Sequence, residues 1–339
     1  MCSSDLAFNE RIRLNLEWID EDRLCAIFSI IEEARGDIIL TYFEMATLAA
    51  LVYFSQEQVD IMLLEVGIGG RLDATNIIDA DLAIITTVDF DHQGYLGHSL
   101  EDIGYEKAGI LRKRIPFIYA DENPPQSVID AATTLEVIPY FYGKDYSFIK
   151  HSQTWEIQAQ KFSLADLAIP KIQLKSAAAA IMACHALEPY LPVAPQAISS
   201  AMKSVFVSGR LQWVPGNPSL LYDVSHNPQS AKLLADYLKH THPNTKIHAV
   251  FSALGDKDIA GIIAPLKNSV HAWYPAQLDS KRSASASFLL AELKNAGIIA
   301  ETCYNDPLKA YEAALSMALG DDLIVIFGSF HTVAEVMHA

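Results

Sequence analysis

Four short stretches place chemically capable side chains directly after apolar runs, the position at which open parallel sheets bind their ligands. The first is "LLEVGIGGRLDATN", residues 63–76, with Glu65 ahead of three glycines. From Gly67 the third position of a G-x-G-x-x-G fingerprint falls on Leu72, and from Gly69 the second falls on Arg71, so a dinucleotide loop is excluded. No G-x-x-x-x-G-K-[ST] string occurs in the chain. Glu65 is left with two readings, a ligand for Mg²⁺ or a cap for the loop amides. The second stretch, "TTVDFDHQGYLG", offers Asp89, Asp91 and His92 as metal ligand, general base or packing residue. The third, "DIGYEKAGILR", has helical spacing and carries Lys107. That lysine is either solvated or a cleft amine on which a carbamate forms beside metals. In the fourth, "LLYDVSHNPQSAKLLADYL", Asn227 caps a helix and Pro228 opens it. Asp223 is thereby placed to accept from a ribose hydroxyl, and His226 to meet a phosphate or carboxylate at the helix N-terminus. The end strand "LIVIFGSF" presents Ser329 and then His331 in the same manner.

The elements that must position these residues are those of an α/β protein. Strand-like runs "VDIMLLEV", "ADLAIITTV", "IPFIYA", "SLLYDV", "KIHAVFSAL" and "DLIVIFGS" alternate with helical patterns such as "FEMATLAALVYFSQEQ", "PQSAKLLADYLKH" and "PLKAYEAALSMAL". Near-continuous Val, Ile and Leu suit parallel strands covered on both faces. Residues 121–170 mix turn signals with short alternating runs, which predicts small antiparallel strands before the Ala-rich helix "SAAAAIMACHALEPY". The α/β grammar restarts after "SVFVSGRLQW", so the expected domains are 1–207 and 208–339.

With 339 residues, 51% apolar and 19% charged, the chain can bury two cores. Its net charge of −16 argues against nucleic acid or anionic membrane as partner. Four scattered cysteines, no apolar membrane span and no signal-peptide pattern predict a cytoplasmic protein with reduced thiols.

Taken together and in order, "LTYFEMATLAAL", "EVGIGGRLDATN", "DFDHQGYLG", "IGYEKAGI", "SGRLQW", "DVSHNPQSA", "GDKD" and "GSFHTV" closely resemble the folylpolyglutamate synthase/dihydrofolate synthase family of the Mur ligase superfamily. "LTYFE" resembles the bifunctional bacterial type. The resemblance runs from about Asn9 to the C-terminus. It implies a Mur-ligase-like α/β fold, an incomplete P-loop-NTPase-type domain with a parallel sheet followed by a smaller Rossmann-like domain. It also implies ATP-dependent ligation of L-glutamate to dihydropteroate and to folate polyglutamate tails through an acyl phosphate, with ATP and Mg²⁺. A monomer is expected.

By the same resemblance, Glu65 and His92 are Mg²⁺ ligands and Lys107 is the carbamoylated lysine. Thr41, Phe43, Asp73 and Ala74 contact the pterin substrate. Arg210 and Asp223 contact the nucleotide, Lys257 a phosphate, and His226 and Ser329 the γ-phosphate and incoming glutamate. The family's glycine-rich phosphate loop precedes every motif found here, so the expectation is a truncated and inactive chain. The family's adenine-side asparagine is Ser176 here, and its Ser-Pro-His near the start reads "SSDL". The alternative to a ligase is a non-catalytic folate- or nucleotide-binding remnant. A nicotinamide dehydrogenase is disfavoured by the failed fingerprint.

Overall fold

A computed structural model describes residues 9–90, 93–160 and 162–338, and it divides into two compact units, the chain passing from one to the other between Val205 and Phe206. The first unit begins with a small hairpin, β1 (Arg13–Leu14) and β2 (Glu17–Trp18), and two helices, α1 (Glu21–Arg35) and α2 (Tyr42–Glu57). Both helices start on side-chain caps. Asp20 accepts the Asp22 and Arg23 amides, and Thr41 forms a reciprocal capping box with Glu44.

A three-stranded parallel sheet follows, ordered β3 (Ala83–Ile85), β4 (Pro116–Tyr119), β5 (Ile138–Phe141). Between its strands run α3 (Gln93–Leu96), α4 (Leu100–Ala108) and α5 (Gln126–Thr134). One face buries Ile85, Phe117 and Tyr119 with Ala108 of α4 and Val128 of α5. Ile118 on the other face joins a cluster with Trp155 and Ile157 and with Ala178 and Met182. Trp155 and Ile157 belong to the antiparallel sheet β6 (Tyr146–Lys150), β7 (Thr154–Ala159), β8 (Phe162–Ala168), the small strands expected there. Ala178 and Met182 lie on α6 (Leu174–Ala186), which α7 (Pro195–Ser204) follows.

The expected strand "VDIMLLEV" is a correction. Residues 59–66 form no strand and pair with none among the described residues, and Ile61, Met62 and Leu63 are exposed. An apolar run becomes a strand only when a neighbour takes its backbone donors and acceptors.

In the second unit β9 (Gln212–Val214) lies antiparallel on β10 (Ser219–Asp223), and the remaining strands are parallel. They are β11 (Ile247–Phe251), β12 (Ala272–Pro275) and β13 (Leu323–Phe327), giving the order β12-β11-β13-β10-β9. Helices α8 (Pro228–Thr241), α9 (Ile259–Ile263) and α10 (Ala286–Asn295) cover the face bearing Leu221, Phe251 and Val325. Helices α11 (Pro307–Met317) and α12 (Phe330–Met337) cover the face bearing Tyr222, Val250 and Ile326. Alternate residues of β13 thus enter opposite cores, as the two-residue period of a strand requires. No helix among the described residues is long and apolar enough to cross a membrane.

Candidate functional site

In the first unit the glycine stretch wraps around one carboxylate. Asp73 Oδ2 accepts the backbone N–H groups of Gly67 (2.9 Å) and Ile68 (3.0 Å). Its Oδ1 accepts Thr75 N (3.0 Å) and the Thr75 hydroxyl (2.7 Å), capping a 3₁₀ turn at Ala74–Ile77. The amide-capping role open to Glu65 therefore falls to Asp73. Glu65 is exposed, and its carboxylate makes no hydrogen bond or ion pair among the described residues. A hard oxygen donor of this kind fits Mg²⁺. The second expected ligand, His92, lies outside the described residues, as does Asp91. Among the described residues no three His, Cys, Asp or Glu side chains gather as a metal site.

Phe43 reaches this stretch from α2. A Cβ built on Gly67 would lie 2.8 Å from the Phe43 ring, so only glycine admits that contact. Thr41 serves as the α2 cap, with its hydroxyl accepting Glu44 N at 3.3 Å. Between α2 and the 3₁₀ turn lies a cavity of about 380 Å³. Leu40, Leu48, Leu51, Leu72 and Ile77 form its apolar walls, and Glu44, Arg71, Asp73 and Asn76 add polar groups. Ala74 lines it as well, while Thr41 and Phe43 stand outside the lining. A mostly apolar chamber with a few convergent polar groups suits a flat heterocyclic ligand.

Lys107 sits half-buried in the last turn of α4. A further cluster, which motif reading missed, lies at the carboxyl ends of the three parallel strands. Thr87 donates its hydroxyl to Asp121 Oδ2 at 2.6 Å, Lys175 of α6 pairs with Asp121 Oδ1, and the Lys175 ammonium lies 5.3 Å from the Tyr142 ring centre. Burial pushes the Asp121 carboxyl up, but the hydrogen bonds from Lys175 and Thr87 outweigh it and hold the carboxyl below its usual range. The available signal was an acidic residue two places after a strand. Ser176 is exposed in the first turn of α6 beside Lys175.

In the second unit Asp223 ends β10 and is 4% exposed. Its Oδ2 accepts Leu211 N (2.8 Å), and its Oδ1 accepts the Ser225 amide (3.0 Å) and hydroxyl. Both oxygens are thus engaged by the chain's own loops. Burial raises its carboxyl despite these bonds and the nearby Arg210 charge. His226 donates from Nδ1 to the Val224 carbonyl at 2.9 Å, since a carbonyl only accepts, so its neutral form carries the lone pair on Nε2. Asn227 and Ser230 form the α8 capping box with Pro228 at its first position.

The His226 ring lies 5.7 Å and the Arg210 guanidinium 5.4 Å from the ring of Phe330. One aromatic residue directly after Ser329 therefore gathers both motif residues. Ser329 is 5% exposed and caps α12, its hydroxyl accepting His331 N at 3.2 Å. Gly328 precedes it at φ +105°, and a Cβ there would meet Ser252 O at 2.1 Å. Lys257 is half-buried in the turn between β11 and α9, where Asp256 pairs with Arg282 at 2.7 Å.

Residues 209–330 match the Mur ligase, glutamate ligase domain, which places the second unit in the Mur ligase class. The Escherichia coli K12 protein named dihydrofolate synthase/folylpolyglutamate synthase is 39% identical over 330 residues, covering 97% of this chain and 76% of its own length. Among solved structures, E. coli FolC in complex with DHPP and ADP has a TM-score of 0.94 at 39% identity, over 99% of this chain and 80% of that one. The bifunctional folylpolyglutamate synthase/dihydrofolate synthase of Yersinia pestis, complexed with AMPPNP and Mn, has a TM-score of 0.92 at 38% identity, over the same shares of the two chains. The chain belongs to the dihydrofolate synthase/folylpolyglutamate synthase family. That membership favours the ATP-dependent ligase over the non-catalytic remnant.

Proposed function

We propose that these residues serve ATP-dependent ligation of L-glutamate to dihydropteroate and to folate polyglutamate tails, each unit supplying its own set, and that the chain, which carries no G-x-x-x-x-G-K-[ST] loop, turns over only when such a loop is supplied. A carboxylate oxygen of the acceptor attacks the γ-phosphorus of ATP, and ADP leaves. The glutamate amine then attacks the acyl carbon, phosphate leaves and the amine gives up a proton. The cavity beneath α2 takes the pterin, with Asp73 and Ala74 in its wall and Thr41 and Phe43 holding the adjoining backbone. The observation that carries this reading is that Leu40 and Glu44 of "LTYFE" and residues 71–74 and 76 of "GIGGRLDATN" line an open, mostly apolar cavity with a few polar groups.

Glu65, with His92, would hold Mg²⁺, which when bound neutralises developing phosphoryl charge. Lys107, as its carbamate, organises that side of the site. In the second unit Arg210, Lys257 and the α8 N-terminus meet anionic phosphate oxygens, and Asp223 braces the Arg210 loop beside the ribose. His226 Nε2 accepts a proton near the incoming glutamate, and Ser329 hydrogen-bonds that substrate. A monomer in the cytoplasm, where ATP is supplied and the described cysteines stay reduced, is the working state of this proposal. ADP release should be absent from this chain alone; with a phosphate loop of the family supplied it should require dihydropteroate, L-glutamate and Mg²⁺ together, and Lys107→Ala should lower turnover at least about 100-fold. Undiminished release without glutamate, or from the Lys107 variant, contradicts the proposal.

A further inference from the structure

Arg71 belongs to the glycine stretch, lines the cavity, and also leaves it. Its Nε (3.2 Å) and Nη2 (2.9 Å) donate to Glu106 Oε1, and its backbone N–H donates to Glu106 O at 2.8 Å. The Tyr105 ring centre lies 5.5 Å from the guanidinium. Glu106 directly precedes Lys107 in the last turn of α4. One side chain therefore touches both the cavity and the residue next to Lys107.

The joint has no slack. A Cβ on Gly109 would fall 2.3 Å from Arg71 Cβ, and one on Gly70 would fall 2.9 Å from Ile110 Cγ2 and 3.0 Å from Glu106 O. Loop and helix meet backbone to backbone. Asn76 Nδ2 ties the two together by donating to Arg71 O and to Gly109 O, each at 3.1 Å. An ion pair with side chains 40% and 19% exposed adds little to stability, so its geometry is what matters.

We propose that Arg71 and Glu106 are positioning residues for the ligation, holding the last turn of α4, and with it Lys107, on the loop that lines the cavity so that the bound acceptor and the lysine stay in register. This rests on the reading of Lys107 as a carbamoylated group. Carbamate formation consumes a neutral amine and CO₂ and releases one proton, and it needs no other reactant. A displacement near 1 Å at such a site is enough to cost about 100-fold in rate.

The test uses the protein supplied with a phosphate loop, carrying Glu106→Gln, Arg71→Met, both together, or Lys107→Ala. Glu106 does not line the cavity, so Glu106→Gln should lower kcat about 10- to 100-fold while KM for dihydropteroate and the melting temperature hold. The double variant should be no worse than the worse single one, since the two residues act through each other. A ¹³C carbamate signal under labelled bicarbonate should appear in the parent and vanish in Lys107→Ala. Additive losses, wild-type kcat in Glu106→Gln, or a fall in kcat matched by unfolding would overturn the positioning role while leaving the Lys107 reading intact. Absence of the carbamate signal from the parent removes that reading, and the proposal falls with it.

Discussion

Two apolar runs of similar composition, "DIMLLEV" and "DLIVIFG", meet opposite fates. The second forms β13, hydrogen-bonded to β10 on one side and β11 on the other, and its residues 323–327 are 0–1% exposed. The first forms no strand and is unpaired among the described residues, and Leu63 is 85% exposed. Composition sets the tendency to extend. Burial and pairing come from neighbours, which are a property of the fold.

The sharpest way to break this contrast is to put a polar side chain in each run. Val325→Asp should unfold the second unit, because an unpaired carboxylate between two paired strands costs more than about 4 kcal/mol. Loss of the cooperative thermal transition would show it. Next in size, Gly328→Ala adds a Cβ 2.1 Å from a carbonyl at φ +105°, and about 2–4 kcal/mol of destabilisation by urea titration is expected. A cost below about 1 kcal/mol would mean that the strand end yields more readily than its packing implies.

A third test compares strand-end carboxylates of the two units by pH. Asp121 is held low in the folded state, so its contribution is fully present above its unfolded value near 3.8 and is lost as pH falls through the lower folded value. Asp223 is raised, so its contribution is present below 3.8 and is lost as pH rises through the higher folded value. Asp121→Asn should therefore flatten the acid-side loss of stability, and Asp223→Asn should flatten a loss on the way up from acid. Urea midpoints from strongly acidic to neutral pH distinguish the two, and like-signed changes would contradict the assignments. The smallest effect belongs to Leu63→Ser, expected within about 0.5 kcal/mol because the side chain is already in water. Reduced binding of an apolar dye would confirm the exposure, and a large destabilisation would show that the run is covered.

How much of this was legible before the fold depended on distance along the chain. The start of α8 follows from Asn227 and Pro228, neighbours in the chain. The near-continuous β13 reads correctly because it is central and covered on both faces. Asp73 and Ala74 of the motif line the cavity beside α2. The same pattern gave no sign that 59–66 lacks a partner strand, because pairing is decided elsewhere in the chain.

The sequence by itself determined the α/β alternation, the helix caps and the residue types able to handle a nucleotide, a metal and a carboxylate. Only the tertiary structure decided that Asp73 rather than Glu65 takes the Gly67 and Ile68 amides. It alone joined Arg71 to Glu106, 35 residues away, and Lys175 to Asp121, 54 away. It alone turned both Asp223 oxygens onto the chain's own loops. The reason is physical. Caps and periodicity are satisfied within a few residues, whereas a carboxylate's partner is whichever donor chain closure brings within about 3 Å, and no local pattern records that choice.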